Sequence, residues 1–217
     1  MAYQPRILTS ESPYHVTART NNKDWFELPL ERVWSVICEK VQKVTEDYGA
    51  EVNVLVLMSN HLHLILSTPM ANINSIMQYL MREVSKTLGP ISGRINHLFG
   101  RRYHSSIIHE PIHFAHVLKY VYRNPVVAGL ADKCEQYPFS TIRGQLSKNF
   151  AGFPLCEVHP AIASLVPKDS EDFLRWLNEP TSPEKREMIR KALRRAEFRY
   201  SRQKCLRPLV KELETTI

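Results

Sequence analysis

Two histidines one residue apart, His61 and His63, stand in the run Ser59-Asn60-His61-Leu62-His63-Leu64-Ile65-Leu66. A strand's period of two sends both imidazoles to one face and Leu62, Leu64 and Leu66 to the other. Their Cα atoms are then about 7 Å apart, close enough for the rings to converge on one divalent ion. A pair of half-exposed strand histidines is the plainer alternative, because a third ligand has to come from elsewhere. The segment Ile112 to Asn124 offers one. At about 100° per residue a helix there gathers Phe114, Ala115, Leu118, Val121 and Tyr122 on one side, and His113, His116, Tyr120 and Asn124 on the other. Tyr120 and Asn124 are i and i+4 neighbours, so a phenol oxygen and an amide oxygen can approach the same point. Tyr122 belongs to the core stripe. For Tyr120 the alternative is a surface tyrosine lying over a neighbouring loop.

Positioning these groups requires a sheet and a helix in contact. Tyr14 to Ala18 reads as a first strand. Leu30, Val33, Trp34, Ile37, Val41, Val44 and Tyr48 recur at helical steps up to Gly49, a C′ residue. Val52 to Met58 and His61 to Ser67 read as a hairpin, Ile73 to Leu88 as a second helix, Tyr103 to Ile108 as a strand, and Ile112 to Asn124 as a helix that Pro125 stops. The order βαββαβα suits an α+β fold: one ferredoxin-like antiparallel sheet with helices packed on it. Further helices are expected over His159 to Leu165, Ser170 to Leu177 and Ser182 to Cys205, the last with Ser182 as N-cap and Pro183 at the first position. The chain therefore divides into an α+β domain over residues 1–145, which carries His61, His63, Tyr120 and Asn124, and a helical C-terminal extension over residues 146–217.

Composition narrows the chemistry. Of 217 residues only 7 are glycine, and neither a GxGxxG nor a GxxxxGK loop occurs, which removes the nucleotide folds built on them. The four cysteines are scattered without a CxxC pair, so a structural zinc site and a disulfide framework are both disfavoured and a reducing cytoplasm fits. No secretion signal or membrane span is legible, since the apolar runs are short and broken by polar residues. The net charge of +7 favours polyanionic partners.

The chain resembles the REP-associated tyrosine transposases, single-tyrosine HUH endonucleases related to the smallest insertion-sequence transposases. The resemblance rests on Tyr14-His15-Val16-Thr17-Ala18-Arg19-Thr20-Asn21-Asn22, Met58 to Leu64, Gly100-Arg101-Arg102-Tyr103-His104-Ser105, Tyr120-Val121-Tyr122-Arg123-Asn124-Pro125 through Leu130, and Tyr137-Pro138-Phe139-Ser140. It departs from the family pattern at Thr20, Ser59, Phe99-Gly100-Arg101 and Val127. The resemblance implies that His61 and His63 are metal ligands, that Asn124 takes the third-ligand position, and that Tyr120 is the nucleophile. It implies Mg²⁺ or Mn²⁺ as cofactor, single-stranded or hairpin DNA as substrate, and a 5′-phosphotyrosine intermediate. Monomer and homodimer both remain open.

From Glu184 to Lys211 there are eleven basic and three acidic residues, a surplus of eight that exceeds the whole chain's +7. Met188, Ile189, Ala192, Leu193 and Ala196 form a narrow apolar seam, so this helix should dock and show a basic face with Arg190 and Arg194. Together with the resemblance this nominates Arg190, Arg194, Arg101, Arg102, Tyr103, His104 and Arg123 as DNA contacts. Two other functions compete: a non-catalytic DNA-binding protein of the same fold, and a metal-dependent hydrolase that activates water and dispenses with Tyr120.

Overall fold

The computed structural model of the chain describes residues 6–142, 146, 153–156, 165–167 and 169–200. Four strands, β1 (Tyr14–Arg19), β2 (Glu51–Leu57), β3 (His61–Ser67) and β4 (His104–Ile107), form one sheet in the order β2-β3-β1-β4. All neighbouring strands are antiparallel. Helix α1 (Leu30–Tyr48) crosses from β1 to β2 and α2 (Ile73–Leu88) from β3 to β4. This is the ferredoxin-like α+β arrangement.

Hydrophobic spacing explains these elements. Val33, Ile37, Val41 and Val44 of α1, and Ile73, Ile76, Met77, Leu80 and Val84 of α2, are all buried. The two helices pack on each other and roof the sheet face made by Val16, Ala18, Leu62, Leu64 and Leu66. Each fully buried aliphatic side chain contributes about 1.5–3 kcal/mol, so this layer dominates the stability of the sheet. Helix α1 stops at Gly49, whose φ of 64° is a left-handed conformation that costs glycine little.

The other sheet face carries the histidines. Thr17 pairs with His63, Arg19 with His61, and His15 with Ile65 and Ser106, and directly opposed residues share a face. Helix α3 (Pro111–Tyr122) and the short turn α4 (Asn124–Val127) close over this face, and α6 (Pro183–Ala192) packs on α3. Helix α5 (Ser170–Asn178) is fastened to α3 by Arg123, which donates through Nη1 to the carbonyls of Leu177 and Asn178. Phe173, Leu177, Ile189 and Phe198 join the same buried cluster as the sheet.

Both sheet edges are partly covered by backbone from other segments, which shortens the ladder open to another chain. On the β2 side, Leu57 N–H donates to Phe139 O and Thr141 N–H to Leu55 O, while the Tyr137 hydroxyl donates to Leu57 O at 2.7 Å. The Tyr137-Pro138-Phe139-Ser140 block is therefore an edge strap. On the β4 side, Ile107 N–H donates to Ala196 O and Phe198 N–H to Ile107 O.

Three expectations change. The helix expected from Ser182 to Cys205 ends at Ala192, because Ala196 to Phe198 give their backbone groups to β4 and bury Phe198; residues 201–205 lie outside the described residues. The helix expected from Ile112 to Asn124 breaks at Arg123, where Pro125 has no N–H for the Val121 carbonyl and its ring crowds that turn. The expected polar face of α3 is largely buried: His113 and His116 are each 6% exposed and lie against Tyr200, with Phe198 also against His113. The helix expected over His159 to Leu165 lies outside the described residues but for its last position. Among the described residues no helix is long and apolar enough to cross a membrane.

Candidate functional site

The hairpin register sets His61 and His63 side by side, with Nε2 to Nε2 at 3.1 Å. Two neighbours order the rings. Asn60 Oδ1 lies 2.7 Å from His61 Nδ1 and accepts its proton, which leaves His61 Nε2 with a lone pair facing His63. His15 Nε2 lies 2.9 Å from His63 Nδ1, so His15, His63, His61 and Asn60 form one chain of hydrogen-bonding groups. Ring protons follow from such neighbours, since each imidazole's second nitrogen fixes the state of the first.

Burial pushes His61 down to about 4 and His15 to about 3, and carries His63 well below the ordinary imidazole range. Neighbouring positive or potentially positive groups add to this, Arg19 at His61 and His61 at His63. The rings are neutral at physiological pH, the state in which an imidazole ligates a metal. A divalent ion fits between them: adjacent ligands at a right angle, each about 2.1 Å from an ion, are about 3 Å apart. Among the described residues no three His, Cys, Asp or Glu side chains form a metal group, so a third ligand from these residues is of another type.

Asn124 is at that place, buried at 7% exposure. Its amide nitrogen, rather than its oxygen, stands nearer the pair, with Nδ2 3.4 Å from His63 Nε2. The oxygen accepts from Arg186 Nη2 at 3.1 Å, and this donor fixes the amide's orientation. Presenting the oxygen to an ion requires the amide to turn over and release Arg186. Although α3 breaks before Asn124, Tyr120 and Asn124 both still meet His63, and Arg186 reaches both.

Tyr120 meets His63 edge-on with ring centroids 6.3 Å apart. It is half-buried, and burial raises its hydroxyl above the ordinary phenol range while the Arg186 and Arg190 charges pull it back. The Arg186 guanidinium carbon is 5.6 Å from the Tyr120 ring centre. Tyr122 differs completely: its ring is buried at 1% exposure and its hydroxyl is 3.2 Å from Thr141 Oγ1.

The residues nominated for DNA contact separate. Arg101, Arg102, His104, Arg190 and Arg194 are exposed, although His104 donates to Leu193 O at 2.7 Å and Arg190 forms a two-pronged pair with Glu187. Arg123 and Tyr103 are already engaged within the protein. Arg123 is buried and caps α5, while Tyr103 is buried, donates to Asn74 Oδ1 at 2.8 Å and is covered by Arg6. Sequence reasoning missed His15 and Arg186. The signal for His15 was present, since alternation along β1 places it two residues from Thr17, the partner of His63; nothing local singled out Arg186 from ten other basic residues of its segment.

Known proteins share this arrangement of elements. The REP-associated tyrosine transposase of Escherichia coli (strain K12) is 24% identical over 115 residues, which span 53% of this chain and 68% of that protein. A solved structure of a REP-associated tyrosine transposase bound to a REP hairpin superposes with a TM-score of 0.59 at 19% identity, over 74% of this chain and 93% of that one. At that identity the superposition speaks for the fold. The family described as "Transposase IS200 like" matches residues 9–124. That stretch runs through the whole sheet to Asn124 and takes in more than half of the chain, and the chain therefore belongs to the IS200-like transposases.

Proposed function

We propose that this transposase nicks and rejoins single-stranded or hairpin DNA through a covalent bond to Tyr120, with His61, His63 and Asn124 holding Mg²⁺ or Mn²⁺. The observation that carries the reading is the convergence of His61 Nε2 and His63 Nε2 at 3.1 Å beside the Tyr120 ring. When bound, the ion draws charge from a non-bridging phosphate oxygen as negative charge grows there. The chain's own residues do the rest. Asn60 and His15 hold the ligand rings in place. Arg186, between Asn124 and Tyr120, supplies positive charge that favours the phenolate.

The Tyr120 oxygen forms a bond to phosphorus as the bond from phosphorus to the 3′ oxygen breaks. The phenol proton passes to solvent and the 3′ oxygen takes one up, so no co-reactant is consumed. The product is a 5′-phosphotyrosine with a free 3′-OH, and reversal by a 3′-OH rejoins the strand without ATP. Tyr120 needs this setting because a phenol near pKa 10 is a weak nucleophile at neutral pH.

The test is incubation with a pool of end-labelled DNA hairpins and Mg²⁺ or Mn²⁺, followed by denaturing gel and mass spectrometry. A DNA adduct on Tyr120 is the expected result. Nicking without an adduct assigns the site to a water-activating hydrolase, and binding without nicking assigns the chain to the non-catalytic class.

A further inference from the structure

Beside Tyr120, residues of α3, α4 and α6 line an open pocket. Its lining contains His116, Lys119, Tyr120, Arg123, Thr181, Lys185 and Arg186, with Val127 and Ile189. Four of these residues are cationic and none is acidic. Two of the cations are already engaged: Lys119 pairs with Glu179 at 3.3 Å, and Arg123 caps α5. Lys185 has no carboxylate partner among the described residues, and Arg186 spends one donor on Asn124. His116 lines the same pocket at 6% exposure, and its Nε2 has no hydrogen-bond partner among the described residues.

An unpartnered imidazole nitrogen is costly to bury. Arg186 lies on the same wall, its guanidinium carbon 5.6 Å from the Tyr120 ring centre and one donor spent on Asn124, with Arg123 lining the pocket beside it. A ligand that is anionic and both accepts and shares hydrogen bonds relieves these together. The pocket shares Tyr120 with the histidine site, so an occupant there would lie beside whatever meets Tyr120.

We infer that the α3–α6 pocket is a second phosphate subsite, taking a DNA backbone phosphate next to the one at Tyr120 through Lys185, Arg186 and the Thr181 hydroxyl. This rests on the reading of His61, His63 and Tyr120 as the place where a strand is cut. The C-terminal segment thereby acquires a defined role, because α6 completes the strand-binding groove beside the nucleophile. A phosphodiester held there fixes the direction in which the strand crosses Tyr120.

The test reads binding in EDTA, with no cleavage required, using full-length protein and an oligothymidylate of about 20 nucleotides. Fluorescence anisotropy over a salt series compares wild type with Lys185→Gln, Thr181→Val and, as a remote control on α1, Lys43→Gln. The expected loss for Lys185→Gln is about tenfold in affinity, with a salt slope shallower by about 0.7, as for one phosphate contact on a single strand. Thr181→Val loses affinity by a smaller factor, and Lys43→Gln binds as wild type. The ¹⁵N signal of His116 Nε2 shifts on adding the oligonucleotide to wild type, and millimolar inorganic phosphate alone does not reproduce the shift. The inference is overturned by wild-type affinity and slope in Lys185→Gln, by an unmoved His116 signal, or by inorganic phosphate saturating the pocket, which makes it a small-anion site. Failure of the covalent adduct in the nicking assay leaves these readings untouched, and failure here leaves the adduct untouched.

Discussion

The two faces of the sheet are both buried, but their chemistry is opposite. Beneath α1 and α2 the contacts are Val16, Leu62, Leu64 and Leu66 against aliphatic stripes, and any well-shaped apolar side chain serves. Beneath α3 the sheet presents His15, His63 and Ser106, all buried, and each ring there depends on a named partner. The first face costs nothing to desolvate. The second lines up three histidines and Asn60 in one hydrogen-bonded chain, yet leaves His15 Nδ1 and Ser106 Oγ without a partner among the described residues. Stability is concentrated on one face and the proposed chemistry on the other, so substitutions on the two faces should separate folding from cleavage.

The largest separation is expected at the two tyrosines. Tyr120→Phe keeps fold and DNA binding and loses nicking and adduct completely, because it removes the hydroxyl proposed to attack. Tyr122→Phe stays active and loses about 1 kcal/mol of stability with its hydrogen bond to Thr141. Gel assays and chemical denaturation on both variants measure the contrast. An adduct on Tyr122, or full nicking by Tyr120→Phe, would falsify the assignment.

The next contrast crosses the sheet. His63→Ala or His61→Ala should abolish cleavage, as should EDTA, while most DNA affinity survives because backbone contacts supply it. Leu64→Ala, one residue along on the opposite face, should cost about 2–5 kcal/mol in denaturant melts and still cleave where the protein remains folded. Cleavage by His63→Ala at the wild-type rate would remove the ion from the mechanism.

This division also explains what could be read from the sequence. The bounds of α1, β3 and α2 coincide with the expected ones because each is set by its own periodicity: the Leu30 to Tyr48 stripe, the alternation from His61, and the Ile73 to Leu88 stripe. The juxtaposition of His61, His63, Tyr120 and Asn124 was legible through the family resemblance and the i, i+4 spacing. The C-terminal half was less legible because its partners are distant in sequence. Nothing near Ala196 announces that its carbonyl will meet Ile107, and helical periodicity continues past the point where the chain leaves α6. His113 and His116 look solvated on a helical wheel, yet residues far along the chain cover them, Tyr200 among them. Arg123 lies between Tyr120 and Asn124 in sequence, yet its guanidinium reaches the end of α5.

A smaller effect should appear at His15. Its Nε2 orders His63 Nδ1 at 2.9 Å, so His15→Phe keeps an aromatic ring in the space while deleting the partner. Losing such a supporting contact typically weakens metal binding about 10- to 100-fold. Titration with Mn²⁺ followed by electron paramagnetic resonance measures it without any cleavage. Unchanged Mn²⁺ affinity separates His15 from the ligand set and makes it a packing residue.

The smallest expected effect concerns His116, buried on α3 and held to about 3 by desolvation, with Lys185 adding to the shift. Its folded-state pKa lies below the unfolded value near 6.5, so in the interval between them the unfolded chain binds more protons than the folded one. The contribution to stability is complete above about pH 6.5 and is lost progressively as pH falls towards about 3, with a slope of at most about 1.4 kcal/mol per pH unit for one group. The buried sheet histidines add their own share over the same interval, so wild type should show a steep acid limb. His116→Gln removes one proton's share, and its stability should fall less steeply between those limits, although it starts lower at pH 7 because the contact with Tyr200 is lost. Denaturant midpoints measured from pH 7 to pH 4 give both slopes. Parallel slopes for the two proteins would mean that His116 titrates normally in the folded state, and that α6 and the Phe198 to Tyr200 segment cover it less tightly than the apolar face of the sheet is covered.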